Sequence, residues 1–257
     1  MKNPIVTIVL FMMFLSVYGS AIEIKNISNA IDVAGKQRMF TQRLLKDYAM
    51  VGMGNTFGKP KDDLAKVTAA FEDHLNALDS FTKDSATKES IAKAKALWTP
   101  VKQKLTQTPT TQNAALLQKD LEDLLHVSDD ITKLFAKQSG SSTGEIINIS
   151  GRQRMLSQRM ASLYMLKVWG MKDPAFAQKL KSAMELFKTS LQKLEAYNKN
   201  TDQIKELLKK AKRNFMFFEF MSRSKSKFVP SLIYKKSNEI LKDMNTATGL
   251  YAKLKIK

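Results

Sequence analysis

Residues 31–48 read IDVAGKQRMFTQRLLKDY, and residues 147–164 read INISGRQRMLSQRMASLY. Eight of these eighteen positions are identical, and Val/Ile, Ala/Ser, Lys/Arg, Phe/Leu, Thr/Ser and Leu/Met replacements keep the character of six more. The offset is 116 residues, and it persists downstream. Phe71, Leu75 and Leu78 fall onto Phe187, Leu191 and Leu194, and Leu134-Phe135-Ala136-Lys137 falls onto Leu250-Tyr251-Ala252-Lys253. A single offset that holds across a whole unit is the mark of a duplicated domain. Two tandem units are expected, over residues 22–138 and 139–257, divided at Ser139-Gly-Ser-Ser-Thr-Gly144.

Within each unit the apolar period is helical. Ile27, Ile31, Gly35, Arg38, Gln42, Leu45 and Ala49 step by three or four and share one helix face. Val33, Phe40, Leu44, Tyr48 and Val51 form a second apolar face, so this helix is expected to be covered on two sides. Further helices are predicted at about 61–82, 87–106 and 112–138, with Pro109 closing the third. In the second unit Pro174 opens the second helix and Pro230 lies near the start of the fourth. Four long helices with short connections make an up-down bundle. The fold class expected is all-α, as two tandem up-down four-helix bundles.

Composition agrees and narrows the chemistry. Ten Gly and six Pro in 257 residues are few for an all-β chain, which turns about every 8–12 residues. The absence of Cys excludes disulfide scaffolds, thiolate metal sites and cysteine nucleophiles. Two histidines, His74 and His126, leave little imidazole chemistry, and both are expected to be surface or satisfied residues. No paired carboxylates, metal motif or nucleotide motif stand out, so neither catalysis nor a cofactor is expected. Met39, Met155, Trp98, Trp169 and the Phe215–Phe220 cluster are expected in the core or between the units.

Residues 1–21 read as an export signal. Lys2 precedes the apolar run Ile5–Val17, and Gly19 and Ala21 stand at the small-residue positions of a cleavage site. Cleavage after Ala21 and a periplasmic location are expected; the other reading is an uncleaved anchor in the inner membrane. Export also bears on the formal charge of +18. It turns the basic character away from nucleic acid and toward small anions, anionic surfaces or a protein partner. The excess is concentrated late: residues 205–257 hold fourteen Lys or Arg against four acids.

The repeated element carries the candidate chemistry. It is Gly35, Arg38, Met39, Gln42 and Arg43 in the first copy, and Gly151, Arg154, Met155, Gln158 and Arg159 in the second. Arg38 and Arg154 share a stripe with apolar positions, so their guanidinium groups point toward a packed interface, where a charge must be paired. No acid lies between Asp32 and Asp47, nor between Glu145 and Asp173, so no helical neighbour is available as a partner. Gly35 and Gly151 stand one turn earlier and clear space. A planar fork of donors beside a clearing suits a planar oxyanion such as nitrate or nitrite. The competing reading pairs each arginine with an acid on another helix, such as Asp120, Glu122 or Asp123.

The stretches IDVAGKQRMFTQRL and INISGRQRMLSQRM resemble the P-box of periplasmic sensor domains in NarX/NarQ-type nitrate/nitrite sensor kinases. They are closest to the PilJ-type N-terminal domain of type IV pilus chemoreceptors. The resemblance implies a four-helix bundle of this unit size, present twice. It also implies that Arg38 and Arg154 bind an anion where two copies meet. Those relatives carry a second membrane helix and a signalling module, so a membrane receptor or kinase partner is expected here. Two functions follow as expectations. One is an exported, non-enzymatic sensor that takes a small oxyanion through Arg38, Arg154, Gly35, Gly151, Arg43, Arg159, Gln42 and Gln158. The other is a structural adaptor whose basic helices dock on a partner or anionic surface. If the copies pair within one chain the site is complete; if they lie end to end, a homodimer is required.

Overall fold

The computed structural model describes residues 22–222 and 229–254, and no strand occurs among them. The segment read as an export signal lies outside the described residues. The first unit comprises α1 (Ile27–Gly52), α2 (Pro60–Phe81), α3 (Ser85–Leu105) and α4 (Thr111–Ser139). The second comprises α5 (Ser142–Val168), α6 (Phe176–Glu195), α7 (Asp202–Ser222) and α8 (Val229–Tyr251). Pro60 and Phe176, which open α2 and α6, stand 116 positions apart, the offset of the repeat. No described helix is long and apolar enough to cross a membrane.

Helix ends follow local chemistry. The side chains of Asn26, Asp84, Thr110 and Ser141 accept from the backbone N–H three residues on, capping α1, α3, α4 and α5. Gly140 takes a left-handed φ of 60° and ends α4, so α5 begins two residues later.

The two bundles lie side by side through their first helices. α1 packs on α2 and α4, and α3 packs on α4. The second unit repeats this, with α5 on α6 and α8, and α7 on α8. α1 and α5 then pack on each other. This explains the two apolar faces: nineteen of the 26 residues of α1 are buried, against six of 22 in the outer helix α2. The interior runs without a break from one bundle across α1 and α5 into the other.

Most expected core residues are there. Trp98 stacks on Phe71 at 4.2 Å, Phe187 stacks on Phe215 at 4.6 Å, and Trp169 meets Tyr48 across the units at 6.3 Å. Met39 and Met155 are buried and His126 is exposed. Two readings need correction. Only Phe215 and Phe218 of the α7 aromatic cluster are buried, while Met216, Phe217 and Phe220 face outward. His74 is neither on the surface nor satisfied: it is buried against Phe40, and its Nδ1 has no hydrogen-bond partner.

Candidate site at the crossing of the two inner helices

α1 and α5 come together at the two motif glycines. A Cβ placed on Gly35 would stand 3.9 Å from the Gly151 Cα. It would also stand 3.0 Å from Arg154 Nη2 and 3.3 Å from Arg38 Nη2. A Cβ on Gly151 would meet the same two nitrogens at 3.1 and 3.3 Å. Both copies of the motif therefore meet within one chain, and the space that the glycines clear is filled by guanidinium. Gly inside a helix costs about 1 kcal/mol relative to Ala; here even a Cβ would crowd both guanidinium groups and force them to shift.

Each arginine is fully buried and bonds across the unit boundary. Arg38 Nη1 donates to Asp129 Oδ1 at 2.6 Å and to Asn148 Oδ1 at 2.8 Å, and Nη2 donates to the Asn148 carbonyl at 3.2 Å. Arg154 Nη1 donates to Asp32 Oδ1 at 2.6 Å and to Asn245 Oδ1 at 3.1 Å, and Nη2 donates to the Asp32 carbonyl at 3.1 Å. The two sets are related by the repeat: Asp32 is equivalent to Asn148, and Asp129 to Asn245. Each arginine so receives one carboxylate and one amide. Of the two readings of these arginines, the one that pairs each with an acid on another helix describes their resting state. Their partners are Asp129 and Asp32, neither of which is among the acids considered from sequence.

The carboxylates respond accordingly. Burial pushes the Asp129 carboxyl up, but Arg38, Lys133 and Arg152 outweigh it and hold it at about 2. Burial also opposes ionisation of Asp32, and Arg154 and Lys36 again outweigh it, leaving its pKa below the usual range. Burial lowers the Arg38 pKa to about 10 against the pull of Asp129, so it stays charged at neutral pH. A carboxyl whose pKa is depressed by folding stabilises the fold above its unfolded pKa and loses that contribution as pH falls through its folded pKa. Stability should fall by about 1–2 kcal/mol between about pH 4 and pH 2 from Asp129, with Asp32 adding to it. Urea titrations across this range check the slope, which should flatten in Asp129→Asn.

The remaining motif residues fasten the crossing but do not converge on it. Gln37 and Gln153, equivalent positions missed from sequence, donate to the carbonyls of Phe71 and Phe187 at 3.0 and 2.9 Å and tie α2 and α6 to the inner helices. Gln42 accepts from Ser162 at 3.3 Å, and Gln158 accepts from Lys46 at 2.7 Å and donates to the Ser237 carbonyl at 3.1 Å. Arg43 forms a two-pronged pair with Asp63, at 2.7 and 2.6 Å, while Arg159 meets both oxygens of Glu122 at 2.7 and 2.8 Å. Glu122 is one of the acids proposed as a partner from sequence, though for a different arginine.

One buried cluster is not duplicated. Lys46 and Asp47 are both fully buried, 3.6 Å apart, where the second copy has Ser162 and Leu163. Burial drives the Lys46 pKa down and the Asp47 pKa up. Lys46 also donates to Asn238 at 2.7 Å and lies 4.0 Å over the Tyr234 ring, which joins α1 to α8.

The model of the PilJ family, described as the type IV pili methyl-accepting chemotaxis transducer N-terminal region, matches residues 23–124 and 135–213. The chain belongs to the PilJ family. The two matched segments fall one on each unit, consistent with two tandem PilJ-type domains. No curated protein and no solved structure matches the chain. As a PilJ-type pair the molecule has one feature of electrostatic consequence. Around Asp32 and Asp129 stand five cations: Arg38, Arg154, Lys36, Lys133 and Arg152. The crossing is cationic even after its internal pairing.

Proposed function

We propose that this PilJ-family chain is an exported, non-catalytic sensory module that binds a small anion at the α1–α5 crossing and passes its state to a membrane receptor or kinase. The reading rests on the meeting of Arg38 and Arg154 over Gly35 and Gly151 in a single chain, with no second chain needed to complete the arrangement. Three further observations support it. The crossing carries five cations for three carboxylates, Asp32, Asp129 and the Asp130 that also pairs with Lys133. The Nε–H groups of both arginines are buried without a partner, so two charge-assisted donors remain. The resemblance to nitrate/nitrite sensors names the class of ligand, a planar oxyanion, which would compete with Asp32 and Asp129 for the guanidinium forks. Because α1 and α5 are the inner helices of both bundles, any change in their crossing is transmitted to all the helices packed on them.

Calorimetric titration of the protein from residue 22 onward with nitrate, nitrite and a sulfate control tests this reading. Saturable binding of nitrate or nitrite is expected, with stabilisation of about 2.7 kcal/mol at a hundred times the dissociation constant. Arg38→Lys, which keeps the charge but loses the fork, should bind more weakly. An absence of heat and of any thermal shift with both ions, or an equal response to sulfate, contradicts it.

A further inference from the structure

A groove of about 450 Å³ opens between α1, α2 and α8, within the range typical of small-molecule sites. Three cations line it, Lys36, Arg43 and Lys242, and no acid does. Lys36 and Arg43 are engaged with Asp32 and Asp63, but Lys242 is exposed and has no ion pair among the described residues. Met39, Phe40 and Leu241 supply apolar surface.

The duplication provides an internal comparison. At the equivalent place on α4, α5 and α6, the positions of Asn238 and Asn245 are occupied by Glu122 and Asp129. There the acids neutralise the site: Glu122 takes Arg159 at 2.7 Å, and Asp129 lies 3.6 Å from Arg152. In the α1–α2–α8 groove both acids are amides. The same backbone arrangement thus carries two carboxylates in one copy and two amides in the other. In the latter, Lys36 and Arg43 draw their acids, Asp32 and Asp63, from outside the groove lining, and Lys242 has none among the described residues. Asn238 and Asn245 can donate as well as accept, which a carboxylate cannot.

His74 provides a second, independent pointer. It lines the groove, is 93 % buried (7 % exposed), and keeps an Nδ1 without a partner. Burial and the nearby Lys36 lower its pKa to about 4. At neutral pH the ring is therefore uncharged, and a buried Nδ1 without a partner calls for one. In the other copy this position is Ser190.

We propose that the α1–α2–α8 groove is a ligand site for a small hydroxycarboxylate with an apolar body. The carboxylate meets Lys36, Arg43 and Lys242, the hydroxyl, which can donate or accept, bonds His74 Nδ1, and the apolar body lies on Met39, Phe40 and Leu241. The site is separate from the oxyanion reading at the crossing and does not depend on it. It is nevertheless wired to the crossing. Lys36 bonds Asp32 at 2.9 Å, Asp32 and Asn245 both hold Arg154, and an occupant touches Lys36 and Asn245 directly.

The test uses mandelate as probe, with acetate for the bare carboxylate, on the wild type and on Asn238→Glu. This substitution installs the residue of the closed copy and keeps an acceptor for Lys46, so the variant is expected to melt no lower than the wild type. Mandelate should raise the melting temperature of the wild type saturably, acetate at equal concentration should not, and Asn238→Glu should bind mandelate about tenfold more weakly or worse. No shift with mandelate, an equal shift with acetate, or equal mandelate affinity in the variant would overturn the proposal. Nitrate titration of Asn238→Glu reports separately on the crossing, so failure at one site is distinguishable from failure at the other.

Discussion

Arg154→Ala is expected to lower the stability of the anion-free protein by about 3–5 kcal/mol. For a chain of this size that corresponds to a fall in melting temperature of about 6–20 °C. The sign comes from Asp32. With Arg154 in place, Asp32 holds a 2.6 Å charge-assisted bond; without it, a largely buried carboxylate keeps only Lys36. Were the two arginines an unpaired repulsive pair, as their sequence neighbourhood suggests, the same substitution would relieve strain and leave stability unchanged or raised. Arg38→Ala should behave alike, because Asp129 and Asn148 hold it by the same geometry. Thermal and urea melts of both variants, in buffer free of oxyanions, separate the two accounts.

Gly35→Leu is expected to cost about 3–5 kcal/mol as well, for a different reason. A Cβ alone comes within 3.0 Å of Arg154 Nη2, and a full leucine forces α1 and α5 apart. That separation strains bonds that cross the units, so buried charges lose partners in addition to the loss of packing. Gly151→Leu should cost about as much, since the contacts are mirrored. Gly249 on α8 is the control, because nothing lies within 4 Å of a Cβ added there. Gly249→Ala should be neutral or stabilising by up to about 1 kcal/mol. Equal effects at Gly35 and Gly249 would show that the crossing is loose.

The architecture was legible because periodicity and duplication are local, additive signals. The two apolar faces on α1 already required a second neighbour, but the doubled motif left open whether it was the other copy in the same chain or a second chain; the structure makes it α5. The partners of the arginines were not legible in the same way. A helix offers partners at i±3 and i±4, whereas Asp129 lies 91 residues from Arg38 and Asp32 lies 122 residues from Arg154. One signal was present in the aligned copies: Asp32 stands over Asn148, and Asp129 over Asn245. Two positions that exchange acid for amide between duplicates share one requirement, a carboxylate per arginine, met once on each side. The groove was invisible for a related reason, since it draws on α1, α2 and α8 from both units. His74 was misread because a lone histidine on an outer helix carries no sign of whether its face is covered.

The exchange of acid and amide also supplies the most direct test of the cross-bonded crossing. Asp129→Asn removes the carboxylate from Arg38 and should destabilise by about 3 kcal/mol. Asn148→Asp returns a carboxylate to Arg38 from the other unit, in the geometry by which Asp32 already holds Arg154. The measurement is the unfolding free energy of the wild type, both single variants and the double variant by urea titration. The account predicts that the double variant regains more than half of what Asp129→Asn loses, a coupling that only direct neighbours show. If the two substitutions simply add, with no recovery in the double variant, Arg38 does not bridge the two units and the crossing is not the joint described.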